Sequence, residues 1–318
     1  MKPSTRAALM LLLTAFIWGV AFVAQDVAMD IVQPFTFNGA RMALAAAVVF
    51  LYSRLRDRRA ARNGTADAAG MGTDVPFSRM TRAQKRTLLL GGALCGVLLT
   101  TASSFQQFGI AQGSQAGKAG FLTALYIVLV PLFGWLLGKK PRLVLLPAVL
   151  LSVIGLYLLC VNGGLSFQPG DVSLLLCALG FTAHILVVDR FSRLTDCVKM
   201  SFVQFLVCAV LCLLMAFLFE KPSWTAIRAC AVPILYAGVL SGGVGYTLQI
   251  VAQKDVEPTV ASLLMCLESV FAVLAGWLLL GDQMSVREYL GCFLMLCGIL
   301  LAQWPERSPA SASSSKAA

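Results

Sequence analysis

Ten apolar runs follow one another along the chain, and they constrain its fold more than any other feature. Each run holds roughly 20 residues, enough for one helix to cross the roughly 30 Å hydrocarbon layer of a bilayer. Short charged or Gly/Pro-containing breaks separate the runs, so we predict ten membrane-spanning helices. The predicted spans are Ala7–Ala28, Pro34–Ser53, Thr87–Phe108, Ala116–Leu137, Leu143–Val161, Asp171–Val188, Met200–Phe219, Ala229–Ala252, Pro258–Leu280 and Val286–Trp304.

The composition supports an all-α membrane protein over a soluble α/β enzyme with buried strands. Of the 318 residues, 58% are hydrophobic and 13% are charged, whereas soluble domains carry about 25% charged residues. The ten cysteines form no CxxC pair and no metal-ligand spacing, and nearly all lie inside apolar runs. We interpret them as small apolar fillers and expect neither disulfides nor a metal nor a cofactor.

The distribution of positive charge predicts the orientation of the chain. With the N-terminus in the cytoplasm, 20 Lys and Arg residues fall on the cytoplasmic side and 4 on the other side. The positive-inside rule therefore favours both termini in the cytoplasm and a multi-pass protein. It also explains the net charge of +10 without a nucleic-acid partner, and makes the lipid bilayer the expected surroundings. Residues 54–86 are predicted as a basic cytoplasmic loop and residues 305–318 as a disordered tail.

The two halves of the chain resemble each other, with 7–162 as the first predicted repeat and 170–304 as the second. Gly134-Trp135 and Gly276-Trp277 are 142 positions apart, while Ala111-Gln112 and Ala252-Gln253 are 141 apart. Five spans is an odd number, so the second copy is predicted to sit upside down in the membrane. Inverted five-helix repeats are typical of secondary transporters, which bind a small molecule near the midplane and expose it to either side by rocking.

Glu268 is a carboxylate in the middle of the ninth span. It lies ten residues after Pro258, which is about 15 Å along a helix and therefore close to the midplane. A charged side chain at this depth raises the free energy of inserting the helix into the bilayer. We therefore predict either a proton- or cation-binding role for Glu268 or a structural bond to a neighbouring helix. Its repeat mate is Tyr126. Pro131 is expected to bend the fourth span. The ninth span should not share this bend, because Val273 stands at the equivalent position of the second repeat.

Arg41, in the second span, and its repeat counterpart Gln204 are further candidates for substrate binding. The long stem of Arg41 could instead carry its charge out to the membrane surface, and its guanidinium could hold a substrate carboxylate or pair with an acid. Lys118 lies at the predicted outer mouth of the fourth span, where its ammonium reaches water easily.

The remaining candidates are polar or aromatic groups inside spans, each of which could line a cavity or only pack between helices. His184, the single histidine, could carry protons near neutral pH. The others are Trp18, Gln106, Gln107, Tyr246 and Gln249. Ser241 and the glycines around it are interpreted as positions of close helix packing.

The chain resembles drug/metabolite transporters of the EamA type, with two EamA-like domains. The residues that carry the resemblance are "FIWGVAFV", "QPFTFNGARMALAA", "KAGFLTALYIVLVPLFGWLLGKKP" and "LESVFAVLAGWLLLGD". Gly281-Asp282 stands where many relatives have Gly-Glu. The resemblance implies a ten-helix basket in the bacterial inner membrane that moves metabolites such as amino acids, amines or drugs, often in exchange with protons. The "KAGFLT" match also strengthens the functional interpretation of Lys118.

Two alternatives to transport remain at this point. A membrane-embedded enzyme using Glu268 and His184 would need chemical groups that converge with water, but the sequence carries no HExxH and no nucleophile motif. A scaffold without transport activity would need a soluble domain, which neither the basic loop nor the tail provides. Small-residue faces on the fifth and tenth spans could serve a homodimer or only the fold.

Overall fold

The computed structural model describes residues 3–62, 76–112, 116–138, 143–161, 168–275, 277–278 and 284–302. Within these ranges the chain forms helices and turns and no β-strand, which confirms the all-α prediction. The predicted basic loop, 54–86, is shorter in the structure, because residues 54–62 continue the second predicted span as helix and residues 82–86 begin the helix of the third. Residues 63–75 of that loop and all of the predicted tail lie outside the described residues.

Helices follow one another along the described chain. They are α1 (Pro3–Met29), α2 (Pro34–Arg62), α3 (Arg82–Ala111), α4 (Ala116–Ala124), α5 (Tyr126–Leu136), α6 (Leu145–Cys160), α7 (Pro169–Ser192), α8 (Cys197–Phe219), α9 (Trp224–Ala229), α10 (Ala231–Leu235), α11 (Thr247–Gln253), α12 (Pro258–Met265), α13 (Glu268–Ala275) and α14 (Val286–Ala302). A π-helical segment, Tyr236–Tyr246, joins α10 to α11.

Eight helical segments in the described part are long and apolar enough to cross a membrane. Three of them combine consecutive elements: 119–136 spans α4 and α5, 231–253 spans α10 to α11, and 258–275 spans α12 and α13. Helix α6 has 16 residues and α14 has 17, so each is about 25 Å long, short of the roughly 30 Å hydrocarbon layer. The count of ten spans therefore stays a prediction.

The two repeats are interlocked rather than side by side. Helix α1 packs against α13, α2 against α8, α3 against α7, and α6 against α14, and each pair joins the first repeat to the second. Helices α6 and α14 approach closely, since a Cβ atom on Gly155 would lie 2.7 Å from the Gly291 carbonyl oxygen. The small-residue faces of these two helices thus contact each other. A homodimer would need another surface.

Helices α2 and α8 run antiparallel and are joined by polar side chains at both ends. At one end, here called the Glu220 end, the Glu220 carboxylate accepts hydrogen bonds from the backbone N–H of Phe35 and Thr36, each at 2.7 Å. It also accepts one from the Thr36 hydroxyl at 2.6 Å. Glu220, the residue that follows α8 in one repeat, therefore caps the first turn of α2 in the other, where unpaired N–H groups favour a carboxylate.

The opposite end, here called the Asp196 end, carries an ion-pair network. Asp196 caps α8 by accepting from the N–H groups of Val198 and Lys199, both at 3.0 Å. The Lys199 ammonium lies 3.0 Å from Asp57 Oδ1 and 2.9 Å from Asp196 Oδ2, and Arg56 pairs with Asp196. The first two helices of each repeat are related by a larger offset, 163 positions, which is the offset between Arg41 and its counterpart Gln204. Asp57 and Glu220 are 163 positions apart, as are Thr36 and Lys199, so the two ends occupy equivalent places in the two repeats.

Burial of Asp196 alone would raise its pKa, but Arg56 and Lys199 outweigh that effect and hold the pKa below its ordinary value. We therefore expect Asp196→Asn to lower the unfolding free energy at neutral pH by about 3 kcal/mol, the usual cost of breaking a buried ion pair from one side. The difference should be full above about pH 4, the ordinary pKa of Asp, and shrink as the pH falls through the lowered pKa. Thermal unfolding in detergent at several pH values measures it.

Arg193→Gln is the matched control for this prediction. Arg193 pairs with Asp189 at 3.1 Å, one helical turn away, but 52% of the Arg193 side chain is exposed. Exposed pairs of this spacing contribute about 0.3–0.5 kcal/mol. Equal losses of stability in the two variants would contradict a special role for the Asp196 network.

Candidate functional site

The fourth and ninth helical passes are both interrupted at the same point of the repeat. Helix α4 ends at Ala124 and α5 begins at Tyr126, while α12 ends at Met265 and α13 begins at Glu268. The turns between them carry short-range bonds, from the Leu125 N–H to the Leu122 carbonyl at 3.3 Å and from Leu267 to Leu264 at 3.4 Å. The interruption is shared by the repeats, so Pro131, present in only one of them, does not explain it.

Tyr126 and Glu268 are hydrogen-bonded to each other. The Tyr126 hydroxyl donates to Glu268 Oε1 at 3.1 Å, and both side chains are buried. The two residues are 142 positions apart, which is the offset between the repeats. Residues related by a twofold axis can touch only close to that axis. The Tyr126–Glu268 pair therefore lies where the two repeats meet, with each residue at the start of a half-helix.

Arg41 is fully enclosed by other side chains. It is 2% exposed, and its Nε atom donates to Asn38 Oδ1 at 2.9 Å while Nη1 donates to Gln25 Oε1 at 3.2 Å. The guanidinium also lies 5.3 Å from the centre of the Phe37 ring. Among the described residues Arg41 makes no ion pair, so its charge is held only by neutral groups.

A central cavity of about 30 Å³ lies between Arg41 and the Tyr126–Glu268 pair. Seven predicted site residues line it: Trp18, Arg41, Gln106, Tyr126, Tyr246, Gln249 and Glu268. Since one water-sized sphere needs about 10–15 Å³ on this measure, the cavity holds about two such spheres. A metabolite would need the surrounding helices to move apart, so this conformation has no space for one at its centre.

The other predicted residues lie around the cavity or outside the described part. His184 Nε2 lies 2.9 Å from Gln204 Oε1, and the imidazole packs edge-on against Tyr246 at 6.1 Å between ring centres. The hydrogen-bond partner of His184 is therefore Gln204. The enzyme alternative would need His184 to pair with Glu268 instead. Gln107 is buried and donates to Gln25 Oε1 at 2.8 Å. The side chain of Lys118 lies outside the described residues.

Sequence reasoning missed Gln25, which connects two of the candidates. Its Oε1 atom accepts from both Arg41 and Gln107, and the residue lines the cavity. Further cavity residues that were not predicted are Ala21, Phe22, Phe181, Ile185, Ser241 and Met265. The repeat carried a usable signal for one of them, Phe181, because it lies 163 positions after the predicted residue Trp18. Phe22 and Ile185 are also 163 positions apart, but neither was predicted.

The π-helical segment is positioned by Trp18. The Trp18 indole N–H donates to the Ser241 carbonyl oxygen, in the middle of this segment, at 3.2 Å. A Cβ atom on Gly245 would lie 2.7 Å from the indole nitrogen, so a larger residue there would push the ring away. Trp18 then stacks against Tyr246, with 4.6 Å between ring centres. The glycines interpreted as packing positions thus shape one wall of the cavity.

Several buried polar atoms near the cavity have no hydrogen-bond partner among the described residues. They include donor and acceptor atoms: Asn38 Nδ2, Gln107 Oε1, His184 Nδ1, Gln204 Nε2 and Gln249 Oε1. Buried polar atoms are normally paired, and each exception asks for an explanation. Of these residues, Gln249 lines the cavity itself. Asn38 and Gln107 belong to the hydrogen-bonded group around Arg41 and Gln25, and His184 and Gln204 pair with each other. The described residues contain no group of three or more His, Cys, Asp or Glu side chains that could hold a metal ion.

The comparisons with known proteins agree with this architecture. A solved structure described only as the crystal structure of a protein superposes with a TM-score of 0.73 at 19% identity, covering 94% of this chain and 96% of its own. That likeness concerns the fold alone.

Among the curated relatives, an uncharacterized transporter of Archaeoglobus fulgidus is 28% identical over 92% of this chain and 83% of its own length. The uncharacterized transporter YoaV of Bacillus subtilis is 22% identical over 90% of this chain and 92% of its own length. The model of the EamA-like transporter family matches twice, at residues 5–161 and 168–304. The chain is therefore a multi-pass membrane protein that belongs to the EamA-like transporter family.

Proposed function

We propose that this protein is a secondary transporter that moves a small metabolite across the cytoplasmic membrane by alternating access. The observation that carries the proposal is the small central cavity at the meeting point of the two repeats, which is lined by a buried arginine and a buried carboxylate. Helices interrupted near the midplane are the usual place of substrate and ion binding in such transporters. The interlocked repeats suggest that the moving bodies each contain helices of both halves.

The chemistry of the cavity favours a solute with an anionic group and a hydrogen-bonding part. Arg41 lacks a counter-ion among the described residues, and a guanidinium binds a carboxylate through two parallel hydrogen bonds. Glu268, on the opposite wall, can hold a proton or the cationic group of a solute. Trp18, Phe22 and Tyr246 give the cavity an aromatic side for an apolar part. Amino acids, which carry both an anionic and a cationic group, are the first class to survey, and amines test whether Glu268 alone can hold a solute.

We further propose ten membrane passes, with α6 and α14 as the two short ones and with both termini in the cytoplasm. The repeats would then have opposite orientations, and 7–162 and 170–304 would be the two units. The Asp196 end carries Arg56, Lys199 and, on the neighbouring turn, Arg193, so the positive-inside rule favours this end as the cytoplasmic one.

Reconstitution into liposomes tests the proposed function. Radiolabelled amino acids, amines, organic acids and nucleosides are offered one by one, with and without a pH gradient, and with unlabelled solute inside the vesicles. We expect saturable uptake of at least one anionic or zwitterionic solute above protein-free vesicles. Thermal-shift measurements with the same solutes give a second readout, because a ligand that binds the folded state raises its melting temperature. A folded protein that neither moves nor binds any of these solutes would contradict the proposal.

A further inference from the structure

A second space lies beside the central cavity, at the Asp196 end of the bundle. It is a basin of about 780 Å³ between the last turn of α7 and the turn that joins α11 to α12. Its lining is mixed in charge and consists of Asp189, Arg190, Arg193, Leu194, Lys254, Asp255, Val256, Glu257 and Pro258. The basin is large enough for a metabolite, whereas the central cavity is not.

Two helices connect the basin to the cavity. On α7, Ile185 lines the cavity, and Asp189, one helical turn further, lines the basin. On α11, Gln249 lines the cavity, and Lys254, directly after the helix, lines the basin. The two spaces are therefore separated by about one helical turn on each side.

Gln253 occupies this separation and joins the two helices. Its Nε2 atom donates to the Ile185 carbonyl oxygen at 3.3 Å, and its Oε1 atom accepts from Gln249 Nε2 at 3.0 Å. The side chain is fully buried. The contact between α7 and α11 at this level thus includes one neutral hydrogen bond, from Gln253 to Ile185, which a passing polar solute can replace with its own. The bond from Gln249 lies within α11 and holds the Gln253 side chain in place.

We propose that Gln253 is the gate between the basin and the central cavity, and that the solute travels between α7 and α11. This inference rests on the proposed transport function for its purpose, although the route itself can be measured without a known solute. Gln249 supports it, because its Oε1 atom has no hydrogen-bond partner among the described residues and faces the cavity side of the gate. A solute that displaces Gln253 would meet this acceptor next.

The repeat supplies a matched control residue. Gln112 is the repeat mate of Gln253, 141 positions earlier. It follows α3 as its C-terminal cap and is exposed, whereas Gln253 is enclosed between α7 and α11. The same amide at the equivalent position of the first repeat therefore makes no such connection between cavity and basin.

Cysteine accessibility tests the gate directly. Ser241→Cys places a nearly isosteric reporter in the cavity wall, and Leu194→Cys, at an exposed residue of the basin, marks the side on which the basin opens. Cys292 and Cys297 are replaced by Ser in every variant, since the other eight native cysteines are buried. A charged, membrane-impermeant methanethiosulfonate reagent is then applied to proteoliposomes of known orientation from one side or the other.

We expect Gln253→Ala and Gln253→Leu to speed labelling of Ser241→Cys about fivefold, since each removes the one side-chain hydrogen bond by which Gln253 joins α11 to α7, worth roughly 1 kcal/mol. The increase should occur only from the side that labels Leu194→Cys, and Gln112→Ala should leave the rate unchanged. The proposal would be wrong if both Gln253 variants left the labelling rate of Ser241→Cys unchanged, or if labelling became faster from the side that does not label Leu194→Cys. Because no solute is involved, a negative result here leaves the transport assay unaffected, and the reverse also holds.

Discussion

Glu268→Gln is expected to abolish the response of transport to a pH gradient while solute exchange continues. Among the described residues, Glu268 is the one carboxylate that lines the central cavity, so it is the group there that can take up a proton. Glutamine has nearly the same shape and still offers an oxygen to the Tyr126 hydroxyl, which preserves the bond seen at 3.1 Å. The variant should therefore fold and bind solute but lose about tenfold or more of the uptake driven by an inward proton gradient.

The measurement uses proteoliposomes loaded with a pH-sensitive dye and the solute that the survey identifies. Wild-type protein should acidify or alkalise the lumen when solute is added, and Glu268→Gln should not. Tyr126→Phe is the matched control, because it removes the hydroxyl but keeps the titratable group, so solute-driven proton movement should persist. Glu268 would be a purely structural acid if Glu268→Gln moved protons with solute at the wild-type rate.

Arg41→Gln is expected to weaken binding of an anionic solute by about 10- to 100-fold. A hydrogen bond to a charged group contributes about 1.5–3 kcal/mol, and the guanidinium offers two of them in parallel. Arg41→Lys keeps the charge but loses the planar fork, so we expect an intermediate loss. Solute-dependent thermal shifts and the concentration for half-maximal uptake both report the change.

Gln204 provides the control for Arg41, since the two are 163 positions apart and both are buried. Gln204→Leu removes a polar group bonded to His184 but leaves the charge of Arg41 in place. It should alter affinity for anionic and neutral solutes alike. A loss in Arg41→Gln that is equally large for a neutral solute would show that Arg41 only supports the surrounding helices.

The helical architecture could be predicted because the bilayer imposes it. A span must hold about 20 apolar residues, and this requirement is visible in composition without any knowledge of packing. The pairing of Tyr126 with Glu268 also followed from sequence in part, since an offset of 142 made them repeat mates. Their direct contact did not follow from the sequence. An offset shows that two positions are equivalent in the two repeats, but it does not give the distance between them in space.

The interruptions at Leu125 and Leu267 were not predictable from local sequence. Neither turn contains glycine or proline, and apolar residues of this kind continue a helix as readily as they end one. Gln25 was missed for a different reason. A single neutral amide near the end of an apolar helix has no periodicity or charge to distinguish it, and its repeat counterpart is Val188. Its importance comes from Arg41 and Gln107, which reach it from two other helices.

The exchange of caps between α2 and α8 has a consequence for how the chain is made. The first turn of α2 is capped by Glu220, which lies 185 residues after Phe35. At a synthesis rate of about 5–20 residues per second, those N–H groups wait about 10 to 40 s for their carboxylate. The first half of the protein thus enters the membrane before this cap exists, and the first turn of α2 gains its carboxylate only when the second half follows.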